Sequence, residues 1–362
     1  MTRLRELDFL RGIAILLVLL RHSPLINTSN IGWIGVDLFF VLSGYLVSGL
    51  LFREYLKFGN IKPKLFLIRR GFKIYPLYYL TYPLYLIPIL YAGKLNIPGI
   101  LSDLTFTQNY LLDWSYANEA SWSLAVEEHF YFGFTLVFWL YIKYRPNVNV
   151  TATFILCMFL ILLFRFFSNR IFPLMYVRNF TMTHLRIDSL LAGVLISYWY
   201  HFRITDLQRI FNRYKIFLLL IAGLFLCWVP FKEPTFYEPI KVYGFSLVYI
   251  SFGIIIIYFV LNPKINQILN KLFTRPVVDI ISKIGFCSYS IYLIHRLLII
   301  VCRSLLNGYA FYDILAVKFV LHSATAIIAG MYITKVVESY FLAIRNMVYP
   351  SRGINVIQIE AR

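Results

Sequence analysis

Long apolar runs separated by short polar segments dominate the chain. A transmembrane helix needs about 20 mostly apolar residues, and ten runs approach that length, so the pattern predicts an all-α, polytopic membrane protein. The predicted spans are residues 8–27, 31–52, 72–92, 120–142, 150–168, 183–203, 214–230, 240–261, 280–303 and 312–343. The shorter apolar run at residues 97–112 is typical of an external loop or an interfacial segment.

The segments that join the apolar runs are too short to fold as separate soluble domains. We therefore expect a single transmembrane domain over residues 1–345 and a short cytoplasmic tail over residues 346–362. Basic residues are concentrated in alternate connecting segments, such as residues 53–71 and 201–215, whereas residues 93–119 carry one lysine against three acidic residues. Because basic loops stay in the cytoplasm, the alternation predicts that both termini are cytoplasmic.

Composition agrees with a membrane location. Hydrophobic residues make up 60% of the 362 residues and charged residues only 14%, whereas soluble domains have about 25% charged residues. The formal charge of +18 would suggest nucleic-acid binding in a soluble protein, but positive cytoplasmic loops explain it here. The four cysteines show neither a disulfide framework nor a metal-binding spacing. We expect no nucleic-acid partner, no metal and no bound cofactor.

The first span keeps ionisable residues in an otherwise apolar helix, among them Asp8, Arg11 and His22. Charges inside a membrane are costly, so such residues usually face a site within the protein. Asp8 and Arg11 are three residues apart and can form an ion pair on one helix face, which is a structural alternative to a binding role. Arg11 and His22 are separated by nearly three whole turns, so both point the same way, about 16 Å apart.

Other spans carry polar residues to the depth that His22 reaches in the predicted outer half of the membrane. These residues are Asp37, Ser123, Glu127, Arg186, Asp188 and His295. A neutral histidine beside a carboxylate can take a proton from a hydroxyl, and the carboxylate can orient the imidazole. We predict that His22 is a general base or a transient acyl carrier, with Glu127 as its partner or as a second acid/base group, and Asp37 as a further catalytic carboxylate. His295 is either a second imidazole of the site or a structural one.

A second cluster lies at the predicted cytoplasmic side, where Arg69, Arg70 and Lys73 begin the third span and Arg11 enters the membrane. Arginine and lysine at one place suit a phosphorylated ligand, although Arg69 and Arg70 alone are also typical of positive-inside anchors. The two clusters together predict group transfer across the membrane, from a cytoplasmic donor such as a coenzyme A thioester to an external hydroxyl. The spacing of these residues does not show which chemical group is transferred.

Six segments resemble, in the same order, the motifs of the membrane acyltransferase 3 family. They are LDFLRGIAILLVLLRH, VDLFFVLSGYLVS, IRRGFKIYPLYY, WSLAVEEHFYF, LRIDSLLAGVL and SYSIYLIH. Arg11 and His22 resemble the family's hallmark of an arginine, ten residues and a histidine. Trp122 and Glu127 match a further motif, and Lys73 stands where relatives more often have arginine.

The resemblance implies acyl-CoA-dependent O-acylation, usually acetylation, of a saccharide or glycolipid at the bacterial cytoplasmic membrane. Acyl-CoA would then be a co-substrate, and membrane lipid would surround the protein. The residues expected to hold the donor are Arg11, Arg69, Arg70 and Lys73. The residues expected to shape the acceptor side are Ser123, Trp122, Arg186, Asp188 and His295. Many relatives carry a fused hydrolase-like domain, and this chain, which ends soon after its last span, is expected to be a stand-alone member.

A transporter or exporter of glycans or lipids is the alternative, because buried histidine and carboxylate chains also relay protons. The sequence has no inverted repeat of the kind that many transporters show. A scaffold without catalytic activity would leave the polar clusters without a purpose.

Overall fold

The computed structural model describes residues 4–22, 29–111, 114–145, 147–234 and 237–352. Within these ranges the protein forms 16 α-helices and no β-strand, in agreement with the all-α prediction. In chain order the helices are α1 (Arg5–Arg21), α2 (Ile34–Phe58), α3 (Pro63–Tyr91), α4 (Ile97–Leu104), α5 (Gln108–Leu111), α6 (Trp122–Tyr144), α7 (Val150–Ile171), α8 (Tyr176–Thr181), α9 (Thr183–Phe202), α10 (Ile204–Trp228), α11 (Phe245–Leu261), α12 (Ile265–Phe273), α13 (Arg275–Phe286), α14 (Ser288–Leu306), α15 (Leu315–Ile333) and α16 (Ser339–Val348).

Several of these helices are long and apolar enough to cross a membrane, which makes the chain a multi-pass membrane protein. Six segments of the described chain qualify: Ile31–Phe58, Val150–Ile171, Ile204–Phe231, Ile240–Leu261, Ser288–Leu306 and Leu315–Val348. The other four predicted spans correspond to α1, α3, α6 and α9, which carry most of the ionisable residues singled out above. Ten spans, and the side of the membrane on which each terminus lies, stay predictions.

The helices depart from two of the predicted spans. The predicted span over residues 280–303 is two helices, because α13 ends at Phe286 and α14 begins at Ser288. Hydropathy is continuous across this break, so a run of apolar residues does not reveal it. The last predicted span contains a π-helical turn at Thr334–Glu338, between α15 and α16. Helix α16 also continues beyond residue 345, and the part of the predicted tail from residue 353 onward lies outside the described residues.

Close helix crossings at glycine hold the bundle around the candidate site. A Cβ on Gly44 of α2 would overlap with the carbonyl oxygen of Leu190 in α9, and a Cβ on Gly285 of α13 would overlap with the carbonyl oxygen of Asp8 in α1. Small residues allow this approach between membrane helices. The crossings fix the position of α1 and α2, from which Arg11 and Ser43 extend into the interior.

Candidate active site

A cavity of about 140 Å³ lies between α1, α2, α3, α6 and α14, and we name it the inner cavity. Its polar lining residues are Arg11, Ser43, Arg70, Lys73, Ser123, Glu127, Tyr131, Ser288, Tyr289 and Tyr292. The structure therefore brings together five residues that the sequence singled out, namely Arg11, Arg70, Lys73, Ser123 and Glu127. A set of cations and a carboxylate around one cavity can hold a polar ligand and orient its reactive group.

Hydroxyl groups hold both oxygens of the Glu127 carboxylate. The Ser43 hydroxyl donates to Oε1 at 2.8 Å, and the Tyr131 hydroxyl, one turn further along α6, donates to Oε2 at 2.5 Å. Arg70 in turn donates from Nη2 to the Tyr131 oxygen at 2.8 Å, and its guanidinium lies 4.6 Å from the centre of the Tyr131 ring. Glu127 is thus connected through Tyr131 to Arg70, one of the cations expected to hold the donor.

Lys73 pairs with a carboxylate that the sequence analysis missed. Its Nζ forms an ion pair with Oε1 of Glu338, which lies in the π-helical turn and is 3% exposed. Ser290 donates to Glu338 Oε2 at 3.1 Å, and Thr334 donates to Ser290 at 2.7 Å. Glu338 is the sole acidic residue between positions 315 and 348 of the sequence. A lone carboxylate in an apolar run is itself a signal of a buried partner.

A second and larger cavity, of about 700 Å³, opens beside the inner cavity, and we name it the basic cavity. The cations that line it are Arg53, Lys57, Arg69, Arg70, Lys73, Arg345 and Arg352, and its acidic residue is Glu54, which lies 3.2 Å from Arg352. Arg70 and Lys73 line both cavities. The two spaces therefore share a wall of two cations, and one extended ligand can contact both.

Arg69 connects the basic cavity to the C-terminal helix. It donates to the backbone oxygen of Tyr349 and, at 3.4 Å, to Oδ1 of Asn346. This contact places Arg345 and Arg352 opposite α3, although about 280 residues separate them in the chain. The sequence offers no signal for that proximity, whereas Arg53 and Lys57 belong to a segment already recognised as basic.

His22 lies at the C-terminal end of α1, where it contacts His295 of α14 and not Glu127. The ring centres of the two histidines are 4.8 Å apart, and His295 Nε2 lies 3.3 Å from His22 Nδ1. The predicted pairing of His22 with Glu127 is absent among the described residues, because Ser43 and Tyr131 occupy that carboxylate. Equal depth on two helices does not by itself bring two side chains together.

Tyr292 lies between the inner cavity and the histidine pair. Its hydroxyl is 2.6 Å from the Ser123 hydroxyl and donates to the backbone oxygen of Ala120 at 2.8 Å. Its own backbone oxygen accepts a hydrogen bond from His295 Nδ1 at 2.6 Å. Tyr292 thus lines the inner cavity and also contacts His295, with ring centres 5.6 Å apart.

Four ionisable side chains form a separate buried network, which consists of Asp37, Arg165, Arg186 and Asp188. Arg186 donates to Asp37 at 2.9 Å, and Arg165 pairs with Asp188. None of the four has any exposed surface, and none lines the inner or the basic cavity. Removal of one member of such a buried pair leaves an uncompensated charge and is strongly destabilising, which favours a structural role over the catalytic role predicted for Asp37.

The side chains of Trp122 and Arg186 belong to an aromatic cluster and line neither the inner nor the basic cavity. The Arg186 guanidinium lies 3.8 Å from the ring centre of Phe245, 4.8 Å from that of Phe180 and 5.5 Å from that of Trp122. The predicted acceptor-shaping residues are therefore divided, because Ser123 lines the inner cavity whereas Trp122, Arg186 and Asp188 line neither named cavity. At the other end of α1, the ion pair that the sequence spacing allows is present, because Asp8 Oδ1 is 3.8 Å from Arg11 Nη1.

Comparison with known proteins gives the site a chemical context. Residues 4–337 match the family of the acyltransferase domain. The chain is 27% identical over 315 residues to a peptidoglycan O-acetyltransferase of Listeria monocytogenes, with 80% of this chain and 48% of that protein covered. It is 29% identical over 318 residues to a putative O-acetyltransferase of Staphylococcus aureus, with 80% and 49% covered.

A shorter match reaches 32% identity over 140 residues with a putative peptidoglycan O-acetyltransferase of Bacillus subtilis, covering 34% of this chain and 22% of that protein. The chain spans about half the length of the curated relatives that it matches over most of its own length. No solved structure matches it.

Proposed function

Because the chain belongs to the acyltransferase family that matches residues 4–337, we propose that it is a membrane O-acyltransferase with acyl-CoA as donor. The group transferred would be acetyl, and the acceptor would be a hydroxyl of an extracytoplasmic saccharide. The relatives named as peptidoglycan O-acetyltransferases support a saccharide acceptor and an acetyl group.

The observation that carries the proposal is the shared wall of the two cavities. Coenzyme A bears several phosphate groups, and guanidinium groups bind phosphate oxygens through paired hydrogen bonds. The basic cavity offers cations for those phosphates, and Arg70 and Lys73 continue that lining into the inner cavity. The flexible arm of the donor would pass these two residues and bring its thioester toward Glu127 and Ser123.

Glu127 takes a different role in this proposal from the one that its sequence position suggested. Its carboxylate fixes the Tyr131 hydroxyl, and Tyr131 fixes Arg70. A guanidinium held in one orientation binds its ligand without losing further side-chain freedom. Glu127 would therefore position the donor, while proton transfer falls to His22.

His22 would act as the general base. The proton of the acceptor hydroxyl moves to the free ring nitrogen of His22, and the hydroxyl oxygen forms a bond with the thioester carbonyl carbon. The carbon–sulfur bond then breaks, and the thiolate of coenzyme A takes the proton from His22. The saccharide would approach from the His22 end of α1, and the acyl group would meet it at the Ser123–Tyr292 contact.

The direct test is transfer of labelled acetyl groups by the purified protein in lipid vesicles. Acetyl-CoA labelled in the acetyl group is supplied on one face and a peptidoglycan oligosaccharide on the other. We expect label in the oligosaccharide and one free coenzyme A thiol for each group transferred. Movement of unlabelled oligosaccharide across the vesicle membrane without thiol release would instead identify a transporter.

A matched pair of variants tests whether the basic cavity holds the donor. Arg53→Gln removes a cation that lines it, whereas Arg275→Gln removes a cation whose side chain is 81% exposed and lines neither cavity. We expect a raised KM for acetyl-CoA only in Arg53→Gln. Equal behaviour of the two variants would contradict donor binding at the basic cavity.

A further inference from the structure

The contact between His22 and His295 assigns hydrogen positions to both rings. His22 Nδ1 lies 3.0 Å from the backbone oxygen of Val18, and His295 Nδ1 lies 2.6 Å from the backbone oxygen of Tyr292. A carbonyl oxygen accepts hydrogen bonds and never donates them. In the neutral rings, therefore, both Nδ1 atoms carry the hydrogen and both Nε2 atoms carry a lone pair.

This assignment makes His22 the donor and His295 the acceptor of the hydrogen bond between the two rings. His22 Nδ1 is 3.3 Å from His295 Nε2, so the Nδ1 hydrogen of His22 is shared between the Val18 oxygen and the His295 lone pair. Nε2 of His22 then has its lone pair available, and no described residue hydrogen bonds to it. His22 is thus set up to receive a proton at Nε2 and to donate from Nδ1.

We propose that His295 is a positioning residue, which orients the His22 ring and stabilises the imidazolium that forms when His22 takes a proton. This inference rests on the proposed function of His22 as a general base. In a serine–histidine–aspartate triad a carboxylate accepts the Nδ1 hydrogen of the base. Here a second, neutral imidazole occupies the corresponding place, and its own Nδ1 is tied to the Tyr292 backbone oxygen.

The charged residues next to the two histidines do not supply a carboxylate that could accept the Nδ1 hydrogen of His22. Arg21 makes two hydrogen bonds with Glu233, at 2.7 and 2.9 Å, and Arg296 pairs with Glu119. The carboxylates of Glu233 and Glu119 are therefore each paired with an arginine next to one of the two histidines, and within the described ranges the structure shows no hydrogen bond from a carboxylate to His22 or His295. A hydrogen bond from a charged imidazolium is stronger than one from a neutral ring. The contact with His295 consequently strengthens as His22 is protonated, which is when it aids the reaction.

Burial supports a polar role for His295 over simple packing. The side chain has no exposed surface, so an Nε2 lone pair without a donor would cost free energy. An apolar residue at this position would avoid that cost. The contact with His22 satisfies the atom and brings the ring centres to 4.8 Å.

Two substitutions of His295 test its two ring nitrogens one at a time. Glutamine places its amide oxygen near the position of Nε2 and can accept from His22, whereas asparagine reaches only the position of Nδ1. We expect His295→Asn to lower kcat for acetyl transfer about 100-fold with unchanged KM values, and His295→Gln to recover about tenfold of that loss. The control is His322→Gln, a buried histidine that bonds Tyr312 at 2.8 Å, for which kcat should stay unchanged.

Nuclear magnetic resonance reports the hydrogen bond without any need for activity. The chain has six histidines, so in protein labelled with nitrogen-15 histidine the His22 and His295 signals are identified by their loss in His22→Gln and His295→Gln. We expect a scalar coupling between a protonated Nδ1 of His22 and an unprotonated Nε2 of His295, and its loss in His295→Asn. A hydrogen on either Nε2, or the absence of coupling, would overturn the inference.

These measurements distinguish the inference from the proposed function. If the coupling is present but His295→Asn keeps full kcat, the positioning role is wrong and the acyltransferase proposal stands. If the wild-type protein transfers no acetyl group, the proposed function fails, whereas the coupling still reports whether the two rings are joined as assigned.

Discussion

The buried network and the inner cavity contain the same kinds of residue but differ in what surrounds them. In the buried network each guanidinium meets a carboxylate, and no side chain has exposed surface. In the inner cavity, Arg11, Arg70 and Lys73 line open volume beside Glu127. Loss of one member of an enclosed pair leaves a buried charge without its partner and destabilises the fold, whereas charges that line a cavity can bind a ligand. We therefore expect substitutions in the first region to affect stability and those in the second to affect activity.

The largest effect should come from Arg186→Gln in the buried network. The Asp37 carboxylate would be left buried without its cation, which costs about 3–5 kcal/mol. We expect a marked fall in Tm in detergent, with activity lost in proportion to folded protein. The double variant Asp37→Asn with Arg186→Gln should recover part of the loss, because no unpaired charge remains.

Arg170→Gln is the control for that prediction. Its side chain is 62% exposed and lies 3.4 Å from Glu238, and such surface pairs contribute about 0–1 kcal/mol. An unchanged Tm in Arg186→Gln would show that the buried network does not hold the helices together, and the contrast with the inner cavity would disappear.

His22→Ala should separate activity from stability most clearly. General-base catalysis contributes about 10²–10⁴-fold, so we expect acetyl transfer to fall by that factor. His22 follows the last residue of α1, and removal of its side chain leaves the buried His295 Nε2 without its donor. This loss costs about 1–3 kcal/mol, so Tm should fall less than in Arg186→Gln. Transfer near the normal rate would reject His22 as the base.

Arg70→Gln should weaken donor binding, since Arg70 lines both cavities. A hydrogen bond to a charged group contributes about 1.5–3 kcal/mol, which corresponds to a KM for acetyl-CoA raised about 10- to 150-fold. The KM for the saccharide should not change. A rise in both KM values would indicate a general distortion of the site.

Tyr131→Phe should have the smallest effect. It removes the hydroxyl that joins Glu127 to Arg70 but keeps the ring beneath the guanidinium. The lost hydroxyl is hydrogen bonded to two charged groups, but it acts on the donor only through the orientation of Arg70. We therefore expect kcat/KM for acetyl-CoA to fall less than in Arg70→Gln, by about fivefold. Tyr79→Phe, which removes a hydroxyl bonded to the Leu104 backbone oxygen on an exposed part of α3, should leave kcat/KM unchanged.

The sequence predicted the helical class from the length of the apolar runs, and the grouping of Arg11 with Arg70 and Lys73 from their common depth in the predicted membrane. Apolar run length indicates a membrane helix, and helical spacing indicates which residues share a face. The same reasoning missed Glu338 as the partner of Lys73 and assigned Glu127 to His22. Depth along a helix can be read from residue number, but rotation of one helix against another cannot.

The chain by itself determined that costly ionisable residues lie within apolar runs, and it predicted that they fall near two levels of the membrane. Only the tertiary structure decided which of them are paired and enclosed, as Asp37 is, and which line a cavity, as Glu127 does. The physical reason is that each ion pair and hydrogen bond depends on the packing of helices far apart in sequence. His22 and His295 are 273 residues apart, and no local pattern specifies that their rings meet.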